Sequence, residues 1–396
     1  MNSKQIIENV FWVGAQDFKR RLFDSLVPTP DGTSYNAYLI KGSQKTVLID
    51  TVDPTMSEVL LQNLVSLNIT KIDFIISNHA EQDHSGSIPF LLRQYPEAKV
   101  VTNEKCKDQL THLLNINPEK IITIKDNETL DLGNFTLRFI FAPWVHWPET
   151  MFTYLQEPNI LFSCDFLGSH FASTDIFSKD LDEILPQFKL YYAEIMMPYR
   201  AQIKSHLQKL DTIKPAIIAP SHGPIHLLPS RPISAYKQWA SDNVKNETVL
   251  MYVSMHGSTE KMANHLLSEL TRQGIKVHLF ELSSTDIGKL ASALVDAGSL
   301  IFGGPTVVNG LHPLLAYAAY LVSMLKPKAR LITMFGSYGW AQKMQEQLLN
   351  ILSSTKAEVI PGVFCKGCPN NESMQALSNL ATEISHRHKS FGQESF

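Results

Sequence analysis

Cysteine is scarce in this chain, four among 396 residues, which removes a disulfide framework as the means of holding it together. A reducing compartment is the expectation. No basic stripe interrupts a formal charge of −3 at pH 7, so nucleic acid is excluded as the main partner. The opening residues, MNSKQIIENV, lack the long apolar core of a signal peptide, and no later run is apolar enough to span a bilayer. A cytoplasmic protein with no membrane segment is expected. Internal repeats and low-complexity tracts are also missing. Cys365-Lys366-Gly367-Cys368 has no second C-x-x-C to complete a tetrathiolate site. It reads as two thiols of a surface loop, with a redox pair or half of a metal site as the alternatives. Cys106 and Cys164 read as core residues.

What the chain does have is a run dense in metal-binding side chains, His79-Ala80-Glu81-Gln82-Asp83-His84. It follows the apolar Phe74-Ile75-Ile76 and precedes Ser85-Gly86-Ser87, so a loop leaving a buried strand is expected, with a helix just beyond it. A loop can aim His79 and Glu81 at one ion, and Asp83 and His84 at a neighbour. Imidazoles mixed with several carboxylates suit iron or manganese better than zinc, and Glu81 is the residue that tips the balance. Further ligands are expected where apolar segments end: His146 in Trp144-Val145-His146-Trp147, Asp165 after Ile160–Cys164, and His222 in Ser221-His222-Gly223. Asp165, with two oxygens, is the natural bridge. His226, four residues after His222, is the rival ligand, and the Ser-His-Gly context favours His222.

A chain near 400 residues is long for one core, and its organisation changes near residue 245. Residues 1–245 carry short apolar runs separated by turn signals, such as Tyr35–Ile40, Thr46–Asp50 and Leu137–Phe141, as paired sheets covered by helices would. Residues 248–396 carry Val249–Val253, Leu300–Phe302 and Leu331–Phe335, which read as buried parallel strands followed by helical patterns such as Glu260–Gln273. That predicts a doubly wound α/β unit. The polar Ser241–Glu247 reads as the linker. In the second half, Ser254-Met255-His256-Gly257-Ser258-Thr259 joins a strand to a helix and offers N–H and O–H donors to a phosphate. It is not a G-x-G-x-x-G fingerprint, which disfavours a dinucleotide. Two more loops follow the next strands: Pro305-Thr306-Val307-Val308-Asn309-Gly310 and Ser337-Tyr338-Gly339-Trp340.

These segments together resemble the flavodiiron proteins, or A-type flavoproteins, over almost the whole chain. The carriers of the resemblance are Thr33–Ile40, an H-x-E-x-D-H run in place of the H-x-H-x-D-H of metallo-β-lactamases, His146–Met151, Asp165–Gly168, Ser221–Gly223 and the three loops of the second half. The resemblance implies an N-terminal αββα metallo-β-lactamase-like sandwich and a C-terminal flavodoxin-like doubly wound parallel sheet. It implies two non-haem irons, one on His79, Glu81 and His146, the other on Asp83, His84 and His222, with Asp165 between them. FMN would sit in the three loops. Asp50 matches a position that orients a ligand histidine. The implied reaction is reduction of O2 to water, NO to N2O, or both, with electrons from rubredoxin or another small donor, in a head-to-tail homodimer or a dimer of dimers. A diferrous pair and a flavin hydroquinone together store the four electrons that full reduction of O2 requires.

Two positions stand apart. Asp24, in Leu22-Phe23-Asp24, takes the place of a histidine found in relatives and is expected near the substrate. Of the adjacent tyrosines in Tyr191-Tyr192-Ala193-Glu194, Tyr192 is expected to reach the substrate pocket. Two other classes compete with an oxidoreductase: a metal-dependent hydrolase with a flavodoxin-like appendage, and an electron carrier whose first domain only docks partners. Glu81 speaks against the hydrolase, and the complete ligand set speaks against the carrier.

Overall fold

The computed structural model describes residues 2–391; residue 1 and residues 392–396, the tail of the expected second domain, lie outside the described residues. The chain divides into two compact units between Ala240 and Ser241. No helix among the described residues is long and apolar enough to cross a membrane.

The first unit is built on two seven-stranded sheets. One runs in the order Lys4–Ile7, Val10–Trp12, Tyr38–Lys41, Thr46–Ile49, Phe74–Ile76, Lys99–Thr102, Ile121–Thr123. The other runs Thr129–Asp131, Thr136–Phe141, Met151–Leu155, Ile160–Cys164, Ile217–Pro220, Ile225–His226, Phe177–Ser178. Period-two alternation divides the apolar residues between two layers. Tyr38, Ile40, Val47 and Ile49 meet Phe139, Met151, Leu155 and Phe162 between the sheets. Leu39, Leu48, Ile75 and Val100 face Leu60, Leu64, Leu91 and Leu110 of the covering helices. A register slip of one residue would exchange those layers, so burial on both faces fixes the strand ends. On the far side of the second sheet, Phe152 and Phe166 pack on His206 of helix Arg200–Ile213, and Phe166 meets Tyr236 of helix Ser230–Ala240. This is the αββα sandwich.

The second unit is a fully parallel sheet in the order Lys276–Glu281, Lys245–Tyr252, Ala297–Pro305, Leu331–Tyr338, Glu358–Val359, with Val363–Lys366 also pairing on Leu331–Tyr338. In chain order its strands lie 2-1-3-4-5, the doubly wound arrangement that binds ligands beyond the carboxyl ends of its strands.

Local structure departs from the sequence reading in two places. A helical turn, Gln82–Ser85, begins inside the ligand run instead of beyond it, with Glu81 as the residue before it. The expected linker is shorter, since Lys245–Glu247 already belong to the strand Lys245–Tyr252. Their polar side chains lie at its exposed start, where an apolar run gives no warning.

Candidate functional site

Residues at the strand ends of the first unit converge because the loop after Phe74–Ile76 is pinned from below. Asn78 donates from its backbone N and its Nδ2 to the two oxygens of Asp50 at 2.8 and 2.9 Å, and its Oδ1 accepts from Thr153 Oγ1 at 2.7 Å. Thr51 N and Oγ1 both donate to the His84 carbonyl, at 2.7 and 2.6 Å. Asp50 therefore braces the loop through Asn78, and among the described residues no hydrogen bond links it to a ligand histidine. The early helical turn swings Asp83 and His84 away from His79 and Glu81, which divides the run between two groups.

The first group is His79, Glu81, His146 and Asp165, with the donor atoms all within 4.8 Å of one another. Glu81 Oε2 lies 3.0 Å from both His79 Nε2 and His146 Nε2, and Asp165 Oδ2 lies 3.6 and 3.4 Å from the same nitrogens. The second group is Asp83, His84 and His222. Asp83 Oδ2 is 3.2 Å from His84 Nε2 and 2.9 Å from His222 Nε2, while Asp165 Oδ1 is 3.0 and 3.5 Å from those nitrogens. Each oxygen of Asp165 thus faces a different group.

Partners outside the groups set which imidazole nitrogen is bare. Glu149 Oε1 lies 2.6 Å from His79 Nδ1 and accepts from Ala80 N at 3.1 Å. The Ser34 carbonyl accepts from His222 Nδ1 at 2.6 Å. Both rings consequently present Nε2 to their groups. Gly223, at φ +76°, permits the turn after His222; a Cβ there would fall 2.2 Å from Ser169 Oγ. The remaining histidine of that segment, His226, bonds the Leu167 carbonyl at 2.9 Å and joins neither group.

Electrostatics favour a cation. Burial alone would depress His79, but Glu149 and Glu81 outweigh it and hold its pKa well above the ordinary value. The same contest, with Asp165 as the main opponent of burial, raises His84 to about 10 and His146 to about 9. Burial resists ionisation of Asp165, yet His84 and His146 hold its carboxyl far below the carboxylate range. Asp83 Oδ1 and His84 Nδ1 are buried without a hydrogen-bond partner among the described residues. Leaving such groups unpaired costs several kcal/mol, which bound cations would offset. The donor set, four imidazoles and three carboxylates with one shared, fits two iron ions.

A cavity of about 580 Å³ opens beside this cluster, lined among others by Asp24, Glu81, Asp83, Phe23 and Trp147. Asp24 sits at the tip of the hairpin formed by Leu22–Phe23 and Val27–Pro28, in left-handed backbone at φ +49°. Burial, then the charges of Glu81 and Asp83, push its carboxyl up to about 6. The expectation for the tyrosines is corrected: Tyr191 donates to Asp165 Oδ1 at 2.9 Å, whereas the Tyr192 ring lies in an aromatic cluster, 5.0 Å from Tyr236 and 5.2 Å from Trp239. On this helical segment consecutive side chains diverge by about 100°. Only one could reach the cluster, and apolar flanks gave no means of choosing.

Two residues with clear contacts were not singled out by sequence reasoning. Glu149 follows His146 by three residues, and that spacing is the signal that could have found it. His170 is buried with its ring 4.8 Å from that of His222 and its Nδ1 2.9 Å from Thr33 Oγ1, and burial followed by the charge of His222 keeps it well below the usual histidine value. Nothing in its Gly-Ser-His-Phe context marks it.

In the second unit a cavity of about 430 Å³ lies at the strand ends, lined by Ser254, Met255, His256, Ser258 and Thr259 of the first loop, Pro305 and Thr306 of the second, and Ser337–Trp340 of the third. Ser254 Oγ accepts from Gly257 N at 3.1 Å and Glu260 N at 3.3 Å, shaping the turn into the 15-residue helix Ser258–Arg272. The expected contribution of Val307–Gly310 differs. These residues form a tight hairpin closed by Val307 N to Gly310 O and Gly310 N to Val307 O, with Val308 87% exposed, and Asn309 Oδ1 accepts from Trp340 Nε1. They support the aromatic rim and do not line the cavity. Gly367 and Cys368 do line it, although the sequence reading left them on a surface loop. A helix N-terminus for a phosphate and a rim of Tyr338 and Trp340 for a planar ring fit FMN.

Comparisons with known proteins agree with both units. A family model described as ODP family beta lactamase matches residues 33–223, and a flavodoxin model matches residues 250–378. A protein named nitric oxide reductase from Moorella thermoacetica is 36% identical over 392 residues, covering 96% of this chain and 98% of its own. A flavo-diiron protein of Clostridium acetobutylicum is 33% identical, covering 95% and 97%. Among solved structures, rubredoxin oxygen:oxidoreductase from Desulfovibrio gigas superposes with a TM-score of 0.95 at 29% identity, covering 98% of this chain and 99% of that one.

Proposed function

The chain belongs to the flavodiiron proteins, oxidoreductases that carry FMN and a non-haem diiron centre, and from that premise we propose that it reduces O2 to water, NO to N2O, or both. The observation that carries this reading is the placement of Asp165, one oxygen toward each ligand group, in a cluster whose Glu81 and Asp83 line an open cavity. His79, Glu81 and His146 would hold one iron, and Asp83, His84 and His222 the other. When bound, the irons and the flavin supply electrons and a binding place for a small diatomic gas.

The protein's own groups supply geometry and protons. Glu149 and the Ser34 carbonyl hold two imidazoles with Nε2 forward, so little reorganisation is needed when metal binds. The Tyr191 hydroxyl donates to Asp165 and biases the carboxylate that spans both groups. Asp24, raised to about 6, is poised to take up and release a proton at the cavity wall.

Rubredoxin or a similar small carrier is the proposed electron donor, and the cytoplasm the proposed location. The family resemblance supports a head-to-tail homodimer or dimer of dimers as the proposed assembly, which would bring the flavin of one subunit to the irons of the other. Anaerobic stopped-flow turnover with chemically reduced rubredoxin, comparing O2 with NO, tests the reading. Consumption of at least one gas supports it, and inertness of iron- and flavin-loaded protein toward both overturns it.

A further inference from the structure

The motif Cys365-Lys366-Gly367-Cys368 takes no part in the metal groups, yet it ends in the wall of the flavin cavity. Cys365 belongs to the strand Val363–Lys366 and packs on the core of the second unit, its Sγ 3.7 Å from Met262 Sδ. The chain then turns at Gly367, whose φ of +72° would strain any side chain, and Gly367 N donates to the Tyr338 carbonyl at 2.9 Å. That turn leaves Cys365 Sγ 3.8 Å from the Gly367 carbonyl oxygen, and sets Cys368 exposed on the cavity side. One thiol is half-buried and the other open to reagents, on either side of one tight turn. The remaining cysteines, Cys106 and Cys164, are buried in the first unit.

We infer that Cys365 and Cys368 form a reversible dithiol–disulfide pair that reacts with small disulfides of the glutathione class at the rim of the flavin cavity. Cys368, as thiolate, attacks one sulfur of the small disulfide; its S–S bond breaks, and one thiolate leaves and takes up a proton. Cys365 then gives up its proton and attacks the Cys368 sulfur, forming the internal S–S bond and releasing the second small thiol. Two thiols and one small disulfide become one internal disulfide and two small thiols, with two electrons passing to the reagent. Burial, and then the neighbouring Cys368, push the Cys365 thiol up, which leaves the first attack to the exposed Cys368 and the second, intramolecular one to Cys365. The pair places a sensor of oxidised small thiols beside the flavin of an enzyme whose proposed substrates are themselves oxidants.

The test exposes the full-length, FMN- and iron-loaded protein to oxidised glutathione, followed by denaturing alkylation and mass spectrometry. Wild type should lose two alkylatable thiols without keeping a glutathione adduct, and dithiothreitol should restore both. Cys365→Ser should trap one glutathione on Cys368, and Cys368→Ser should stay unmodified. A stable glutathione adduct on wild-type Cys368 with Cys365 still free, or no change in either thiol, would overturn the inference.

Discussion

Glu149 Oε1 lies 2.6 Å from His79 Nδ1, with both side chains buried, so a carboxylate behind the ring fixes the nitrogen that faces the metal group. Glu149 also accepts from Ala80 N, tying the ring's orientation to the backbone of the ligand run. Glu149→Ala should weaken iron binding by about 10- to 100-fold, the usual cost of losing a partner behind a ligand histidine. Competition with a graded series of chelators reads this directly. Unchanged iron retention would show that His79 needs no such support.

The two adjacent tyrosines should separate cleanly. Tyr191→Phe removes the hydroxyl on Asp165 and should lower turnover by about 10-fold, in line with ~1.5 kcal/mol for a hydrogen bond to a charged group. Tyr192→Phe, altering the aromatic cluster with Tyr236 and Trp239, should keep near-normal turnover per bound iron. Steady-state rates normalised to iron content distinguish the pair, and the reverse pattern would refute the assignment.

For the flavin cavity, Ser254→Ala removes the acceptor of Gly257 N and Glu260 N and loosens the turn where a phosphate would bind. FMN affinity should fall by about 2- to 10-fold, the span of ~0.5–1.5 kcal/mol per hydrogen bond. Riboflavin, without the phosphate, should bind wild type and variant alike. Fluorescence titration with both flavins checks the contrast; equal losses for the two would move the phosphate elsewhere.

Acid should destabilise the second unit through His388. Its Nδ1 meets Asn246 Oδ1 and its Nε2 meets Ser299 Oγ, each at 2.9 Å, and burial lowers it to about 4. The unfolded ring takes a proton near 6.5, so the unfolded state binds more protons between pH 6.5 and 4. Stability is therefore whole above about 6.5, declines as pH falls toward 4, and levels off below. His388→Gln, which cannot titrate, should show a smaller acid-dependent drop in melting temperature of the full chain. An identical drop in wild type and variant would place the sensitivity elsewhere.

Much of this architecture was legible because burial imposes period. The apolar runs at Thr46–Ile49, Leu137–Phe141 and Leu331–Phe335 lie in strands, and the density of ligand types in His79–His84 marks that run as a metal loop. What escaped depended on contacts distant in sequence. Glu149 acquires its role from a ring 70 positions earlier. Tyr191 and Tyr192 differ only in which face of one helical segment meets Asp165. Val307–Gly310 looks like a cavity loop by position, but its two left-handed residues, Val308 and Asn309, close a hairpin that does not line the cavity. Cys368 reached the cavity wall only through the turn at Gly367.

The central claim is a flavin-linked iron pair in which Glu81 is a metal ligand, and metal and flavin analysis of anaerobically purified wild type and Glu81→Ala tests it most directly. Wild type should be yellow with about one FMN and about two irons per chain. Glu81→Ala should keep its flavin while losing about half of the iron and nearly all O2 and NO reduction. Colourless wild-type protein holding only zinc, or a Glu81→Ala variant with full iron and full turnover, would contradict the account.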